Sequence, residues 1–245
     1  MSNTGDSVQR RIGVLGGMGP QATVDFLNQV IAGTPASGDA DHLRILIDNN
    51  PKVPDRQAAM RGDDSAVRAA LRDMALGLEK QGADFLVMPC NTAHAFVEDA
   101  AAAVNIPLVS IIDVTAQAVS DVAPGARKVG LLATDACIAA GIYPSAAADL
   151  PFDILVPDPA RQADCMRLIR AVKGGDTGDA VRAAMRSIAA ALIDEGADAL
   201  IAGCTEIPLV LEDDEVPVPL ISSTDVLAAK AVDYGLGRLP LPVTP

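Results

Sequence analysis

One short stretch of this 245-residue chain occurs twice, and the repetition limits the folds open to it. Gly82-Ala83-Asp84-Phe85-Leu86-Val87-Met88-Pro89-Cys90-Asn91-Thr92 is matched by Gly196-Ala197-Asp198-Ala199-Leu200-Ile201-Ala202-Gly203-Cys204-Thr205. In each copy a cysteine follows the glycine by the same distance (82 to 90, 196 to 204), with hydroxyl residues just beyond. Two further pairs keep the same order. Arg11 to Gly16 is matched by Lys128 to Ala133, and Ile106-Pro107-Leu108-Val109-Ser110 by Val218-Pro219-Leu220-Ile221-Ser222. Three matched segments in one order indicate an internally duplicated unit. Strands alternating with helices make that unit α/β, with parallel sheets covered on both faces. A duplicated fold with one cysteine per half can set two sulfurs on opposite sides of one small molecule.

The chain is long enough to bury a large core in one or two domains. With 50% of residues hydrophobic and 21% charged it reads as globular. The first eleven residues are polar, unlike a secretory signal, and no run reaches the length of a membrane span, so the expected location is cytoplasmic. A net charge of −13 disfavours nucleic acid, which needs a basic surface, and an acidic ligand would have to be held by locally placed Arg or Lys. The four cysteines lack zinc-site spacing and there are only two histidines, so free thiols and no metal are expected.

The opening strand runs into Gly16-Gly17-Met18-Gly19-Pro20 and a helix with Ala22, Phe26, Leu27 and Val30 on one face. A glycine-rich turn before a helix can hold an anion on its free amides, but the spacing fails the dinucleotide fingerprint. Leu43 to Asp48 reads as a buried strand. It leads into the loop Asn49-Asn50-Pro51-Lys52-Val53-Pro54-Asp55-Arg56, where α/β folds place ligands and Arg56 could grip a carboxylate. Residues 64–81 form an amphipathic helix burying Val67, Leu71, Met74, Ala75 and Leu78 and ended by Gly82. The last helix, 226–234, returns to the first half, and the proline-rich tail 235–245 is expected to be loose.

Each repeated cysteine stands where an apolar strand ends and a helix is expected to begin, a position that favours the thiolate. Cys137 and Cys165 read as packing. His94 could tune Cys90 or cap the helix, and Glu206 is similarly ambiguous.

At these residues the sequence resembles the aspartate/glutamate racemases, the cofactor-independent amino-acid racemases, and especially their aspartate branch. The resemblance runs from Ile12 to about Val232. It rests on Leu15-Gly16-Gly17-Met18-Gly19-Pro20, Asn49-Asn50-Pro51 with Pro54-Asp55-Arg56, Met88-Pro89-Cys90-Asn91-Thr92-Ala93-His94 and Ala202-Gly203-Cys204-Thr205-Glu206. It implies two pseudo-symmetric α/β domains, commonly a homodimer, with the active site in the cleft between them. The lobes divide as 1–109 with 222–245, and 110–221. The resemblance makes Cys90 and Cys204 the two catalytic bases, with no cofactor, and assigns substrate carboxylates to Arg56 and Lys173. Asn91, Thr92 and Thr205 are expected to hold the α-carboxylate. Met18, Gly19, Asn50 and Thr134 complete the expected substrate pocket. Ala133-Thr134-Asp135-Ala136-Cys137 departs from the family's Ala-Thr-x-Gly-Thr, which leaves the second carboxylate pocket open. Racemisation of another small acid such as a hydantoin, isomerisation of maleate, non-catalytic binding of a small acid, and a reversible disulfide between Cys90 and Cys204 are the alternatives.

Overall fold

The computed structural model describes residues 9–243. Its first half runs β1 (Ile12–Gly16), α1 (Pro20–Gly33), β2 (Ile45–Asn49), α2 (Arg56–Ala59), α3 (Ser65–Lys80), β3 (Phe85–Val87), α4 (Glu98–Ala102), β4 (Leu108–Val109) and α5 (Ile111–Val122). The second runs β5 (Lys128–Leu132), α6 (Asp135–Ala139), α7 (Ile142–Ala146), β6 (Asp153–Leu155), α8 (Pro159–Lys173), α9 (Asp179–Asp194), β7 (Ala199–Ala202), β8 (Leu220–Ser222) and α10 (Ser223–Gly235). The strands form two four-stranded parallel sheets of the same order, β2-β1-β3-β4 and β6-β5-β7-β8. The expected pair of parallel α/β sheets is borne out, and the matched segments take matched places: Leu86 pairs with Leu108 as Leu200 pairs with Leu220.

The repeated Gly-Ala-Asp performs the same structural task twice. Gly82 and Gly196 adopt φ of 94° and 97°, a left-handed conformation that suits glycine, and each ends the preceding helix. The Ala83 and Ala197 amides reach back to the carbonyls of Leu78 and Leu192 (3.1 and 3.0 Å). The aspartate then pins the start of the neighbouring strand: Asp84 accepts from the Arg11 amide at 2.6 Å, and Asp198 from those of Arg127 and Lys128 at 2.8 and 3.0 Å. Ser110 and Ser222 likewise cap α5 and α10 by accepting from Asp113 and Asp225 amides.

Strand periodicity divides the core. Ile12, Val14, Phe85 and Val87 face one way, toward Phe26 of α1 and Leu227 and Ala231 of α10; Leu15, Leu86 and Met88 face α3. In the second sheet, Val129, Leu131 and Ile201 join the first group, while Leu132, Leu200 and Ala202 pack on α8 and α9. One apolar cluster therefore continues from sheet to sheet through α1, α5, α7 and α10. Helix α10 packs on both α1 and α5.

Helix α3 buries the five residues its spacing marks. Other expectations need correction. The strand read as buried is β2, an edge strand with a neighbour on only one side, and Ile47 is 44% exposed. The sequence reading did not single out strand β6, and the β4 and β8 segments pass into helix sooner than their apolar runs suggest. Of the tail, Leu239 is held by its carbonyl, which with that of Tyr234 accepts from Arg10 Nη1 (3.0 and 2.8 Å). Leu241 packs on the core. The polar N-terminus through residue 8 and the last two residues lie outside the described range.

Candidate active site

In each sheet the chain leaves the inner strand for one neighbour and returns on its other side, β2 and β3 about β1, β6 and β7 about β5. The crevice beyond the carboxyl ends at such a switch point is where open α/β sheets bind ligands. Here the two crevices share one cavity of about 470 Å³. Cys90, just past β3, and Cys204, just past β7, both line it and are each 6% exposed. The remaining wall is made by Met18 from the turn after β1, by Pro51 and Val53 of the loop after β2, by Asp55, Arg56 and Gln57 where α2 begins, by Asn91, Thr92, Thr134, Thr205 and Glu206, and by Met166, Ile169, Arg170 and Lys173 of α8.

The elements after the cysteines differ from expectation, and so does their effect. Cys90 is followed by a 3₁₀ turn, Thr92–Phe96, and Cys204 by Ile207–Leu209, neither long enough to supply a strong dipole. At Cys90 the carbonyl that would close an α-helical turn instead pairs with His94 Nδ1 at 2.9 Å, while the His94 amide turns to Asn91 O at 3.0 Å. His94 Nε2 accepts from the Ile111 amide at 3.2 Å, so the ring is neutral with its proton on Nδ1. Burial holds its pKa down to about 4. After Cys204, Pro208 withholds an amide from the turn.

Cys204 is not poised as a thiolate. Burial pushes its thiol well above the usual range, and the Glu206 carboxylate adds to this more than Lys173 subtracts. The Cys204 thiol donates to Glu206 Oε2 at 3.0 Å, the Thr205 hydroxyl donates to the same oxygen at 3.3 Å, and Lys173 Nζ donates to Oε1 at 2.7 Å. Burial acts to lower the Lys173 pKa, but Glu206 together with the sulfurs of Cys204 and Cys90 carries it upward, so Lys173 stays charged.

The other expected residues divide between lining and support. Arg56 Nη1 donates to the carbonyls of Val53 and Pro54 (3.0 and 2.8 Å), and its Nε and Nη2 have no partner among the described residues. Thr92 and Thr134 share a hydrogen bond of 2.8 Å across the cleft, and Thr134 also accepts from the Cys137 amide at 3.2 Å. The pair thus keeps one hydroxyl proton for an anion in the cavity. Asn91 is a strut: its amide donates to Ser223 at 3.0 Å and accepts from Tyr143 at 2.6 Å. Asn50 is outside the wall, with its side chain accepting from the Lys52 amide at 3.0 Å. Gly19 is beside the wall, where a Cβ would come within 3.5 Å of Glu206 Oε1. Cys137 and Cys165 are fully buried, and burial pushes both thiols up to about 12. Asp135 is held by Gln162 at 2.8 Å and does not line the cavity. Where the family's glycine would stand, the Ala136 amide donates to Gln57 Oε1 at 3.0 Å, a direct bond between the halves. Sequence reasoning left Glu206 ambiguous and did not single out Gln57 or Arg170. Among the described residues no three His, Cys, Asp or Glu side chains converge as metal ligands.

Residues 15–231 match the family described as Asp/Glu/Hydantoin racemase. The chain belongs to that family. This racemase is 31% identical over 227 residues to the broad specificity amino-acid racemase RacX of Bacillus subtilis, covering 90% of this chain and 96% of that one. It superposes on Picrophilus torridus aspartate racemase with a TM-score of 0.83 at 30% identity, covering 94% of this chain and all of the other. A putative Asp/Glu racemase from Yersinia pestis gives 0.80 at 27% identity, over 93% and 99% of the two chains. The relatives are amino-acid racemases, and this chain is an isomerase of their class.

Proposed function

We propose that this racemase interconverts the enantiomers of an acidic amino acid, aspartate before glutamate, without an organic cofactor or metal, using Cys90 and Cys204 as its two acid–base groups. The observation that carries the reading is the placement of both cysteines at equivalent strand ends, one from each half, in the wall of a single cavity. The α-proton of an amino acid is weakly acidic, and no electron sink is invoked. A carbanion must therefore be stabilised by preorganised donors in a site closed to water. The low exposure of both sulfurs and the spare hydroxyl proton of the Thr92–Thr134 pair support such a site. One sulfur, as thiolate, removes the proton from one face; the other, as thiol, delivers a proton to the opposite face. Exchanging their protonation states runs the reaction backwards.

An acidic side chain is favoured by the cations of the wall. Arg56 offers its free edge, and Arg170 lies one helical turn from Lys173 on α8. The lobe division at 109/110 and 221/222 belongs to the same reading: each lobe contributes one sulfur. A second reading, racemisation of a wider range of amino acids, is favoured by one observation. Lys173 is already paired with Glu206 at 2.7 Å, which leaves less positive charge for a substrate carboxylate.

The deciding experiment incubates the purified protein with each enantiomer of aspartate, glutamate and several neutral amino acids in deuterated water, with nothing added. Racemisation of aspartate with deuterium at the α-carbon is expected, fastest of the series. Comparable rates on neutral amino acids would favour the second reading. Activity lost on dialysis against a chelator and restored by a metal would overturn the metal-free mechanism.

A further inference from the structure

The two sulfurs are related by the repeat, but their immediate partners are not. Two residues after Cys90 stands Thr92, a neutral hydroxyl; two residues after Cys204 stands Glu206, 4% exposed, with both carboxylate oxygens engaged. Oε2 accepts the Cys204 thiol at 3.0 Å and Oε1 accepts Lys173 at 2.7 Å. We propose that Glu206 is a positioning residue that holds the proton on Cys204, making Cys204 the resting acid of the pair and leaving Cys90 as the resting base. This rests on the reading of the two cysteines as the catalytic bases.

The consequence for turnover is an asymmetric cycle. The Cys90 thiolate takes the α-proton and becomes a thiol, and the electron pair of the broken C–H bond stays on the α-carbon. That carbanion takes the proton of the Cys204 thiol on its other face, which leaves a thiolate beside Glu206. Two adjacent negative groups are costly at low exposure, and the Lys173 ammonium, bonded to Glu206, offsets them. After product leaves, transfer of the proton from Cys90 back to Cys204 restores the resting state. Lys173 therefore acts on the sulfur both directly by its charge and through its bond to Glu206. Burial raises the Cys204 thiol first, Glu206 raises it further, and Lys173 opposes both. The other charged or titratable groups facing Cys204 are Arg170 on α8, Asp55, Arg56 and Cys90 across the cavity, and Tyr143, whose own hydroxyl burial keeps protonated.

The test follows thiolate absorbance in the ultraviolet as pH is raised, in a Cys90→Ala background where Cys204 is the cavity's remaining thiol. Cys137 and Cys165, whose thiols burial also raises, are replaced by alanine in the same background so that the titrating thiol is Cys204. Glu206→Gln should move the Cys204 titration to lower pH, and Lys173→Met should move it higher. Opposite shifts are the signature, because a general loosening of the site would move both variants the same way. Should Glu206→Gln not fold, the relative alkylation of Cys90 and Cys204 in the wild-type protein decides the matter, with Cys204 expected to react last. A Glu206→Gln titration unmoved or raised, or Cys204 alkylated first, would overturn the proposal. None of these measurements requires turnover, so a failed racemisation assay leaves the proposal separately testable.

Discussion

Arg56 spends one of its guanidinium nitrogens on the loop that carries it, bonding the carbonyls of Val53 and Pro54 at 3.0 and 2.8 Å. The loop thereby aims the remaining edge, and a carboxylate meeting it would form a charge-assisted pair in a partly desolvated wall. Arg56→Ala should cost about 2 to 5 kcal/mol of transition-state stabilisation with aspartate, read from kcat/KM. Unchanged kinetics would make Arg56 a loop brace only. His94 offers a pH test at the same scale. In the unfolded chain it takes a proton near 6.5, but when folded only near about 4, because burial disfavours the cation. Between those values the unfolded state binds more protons, so stability falls as pH falls. The loss is about 3 kcal/mol from this one group. His94→Gln removes it, and the stability advantage of wild type over variant should shrink by about that much between pH ~7 and pH ~4. A constant difference would mean that His94 is not held neutral. At this scale the sequence showed many of the residues that gather, but missed Gln57 and Arg170, placed Asn50 wrongly, and did not show what the residues bond to. Glu206 is the clearest case. The signal was present, a carboxylate where the first repeat has Thr92, yet only the fold sets its two oxygens between Cys204 and Lys173.

Elements were legible where a local rule fixes them. The apolar stripe of α3 identified each of its buried residues, and its end at Gly82 follows from a left-handed position. That end supports a further expectation. At Gly196 φ is 97° and an added Cβ would meet nothing nearer than Lys128 at 3.8 Å, so Gly196→Ala measures conformational strain alone. It should lower the unfolding free energy by about 1 to 2 kcal/mol, seen as a shifted urea midpoint at constant slope. At Gly82 the same change also displaces Arg11, whose Nη1 would be 2.7 Å away. Its cost should be at least as large, and a neutral result at Gly196 would refute the left-handed assignment. Elements were not legible where tertiary bonds override propensity. The residues after Cys90 read as a helix start, but the His94 side chain occupies the carbonyl such a helix would need. Strand β2 has an apolar sequence and an edge position; its composition reports strand propensity, not its place in the sheet order.

At the scale of the whole molecule, the duplication builds two sheets whose carboxyl ends share one cavity, beside which the halves are bonded by Gln57 on Ala136 and by Thr92 on Thr134. That plan was readable from three matched segments, because a repeat must place equivalent residues at equivalent strand ends. What a repeat cannot report is where its copies have diverged in chemistry, and the last prediction turns on both facts. If Cys90 and Cys204 approach opposite faces of the α-carbon, removing either blocks reprotonation from its side and abolishes racemisation, while the survivor can still exchange a proton on its own face. Each single Cys→Ala variant should then exchange the α-proton of one enantiomer only with deuterated solvent, and the two variants should choose opposite enantiomers. Their pH dependence should differ as well. Cys204→Ala leaves Cys90, which has no carboxylate on its sulfur. Cys90→Ala leaves Cys204, whose thiol is raised by burial and by Glu206, and should need a higher pH for the same rate. Nuclear magnetic resonance of the α-proton of each enantiomer, followed against pH, reads all of this at once. A variant that still racemises near the wild-type rate, or two variants that exchange the same enantiomer, would refute the two-face geometry. Complementary enantiomers with identical pH profiles would keep that geometry and remove the role assigned to Glu206.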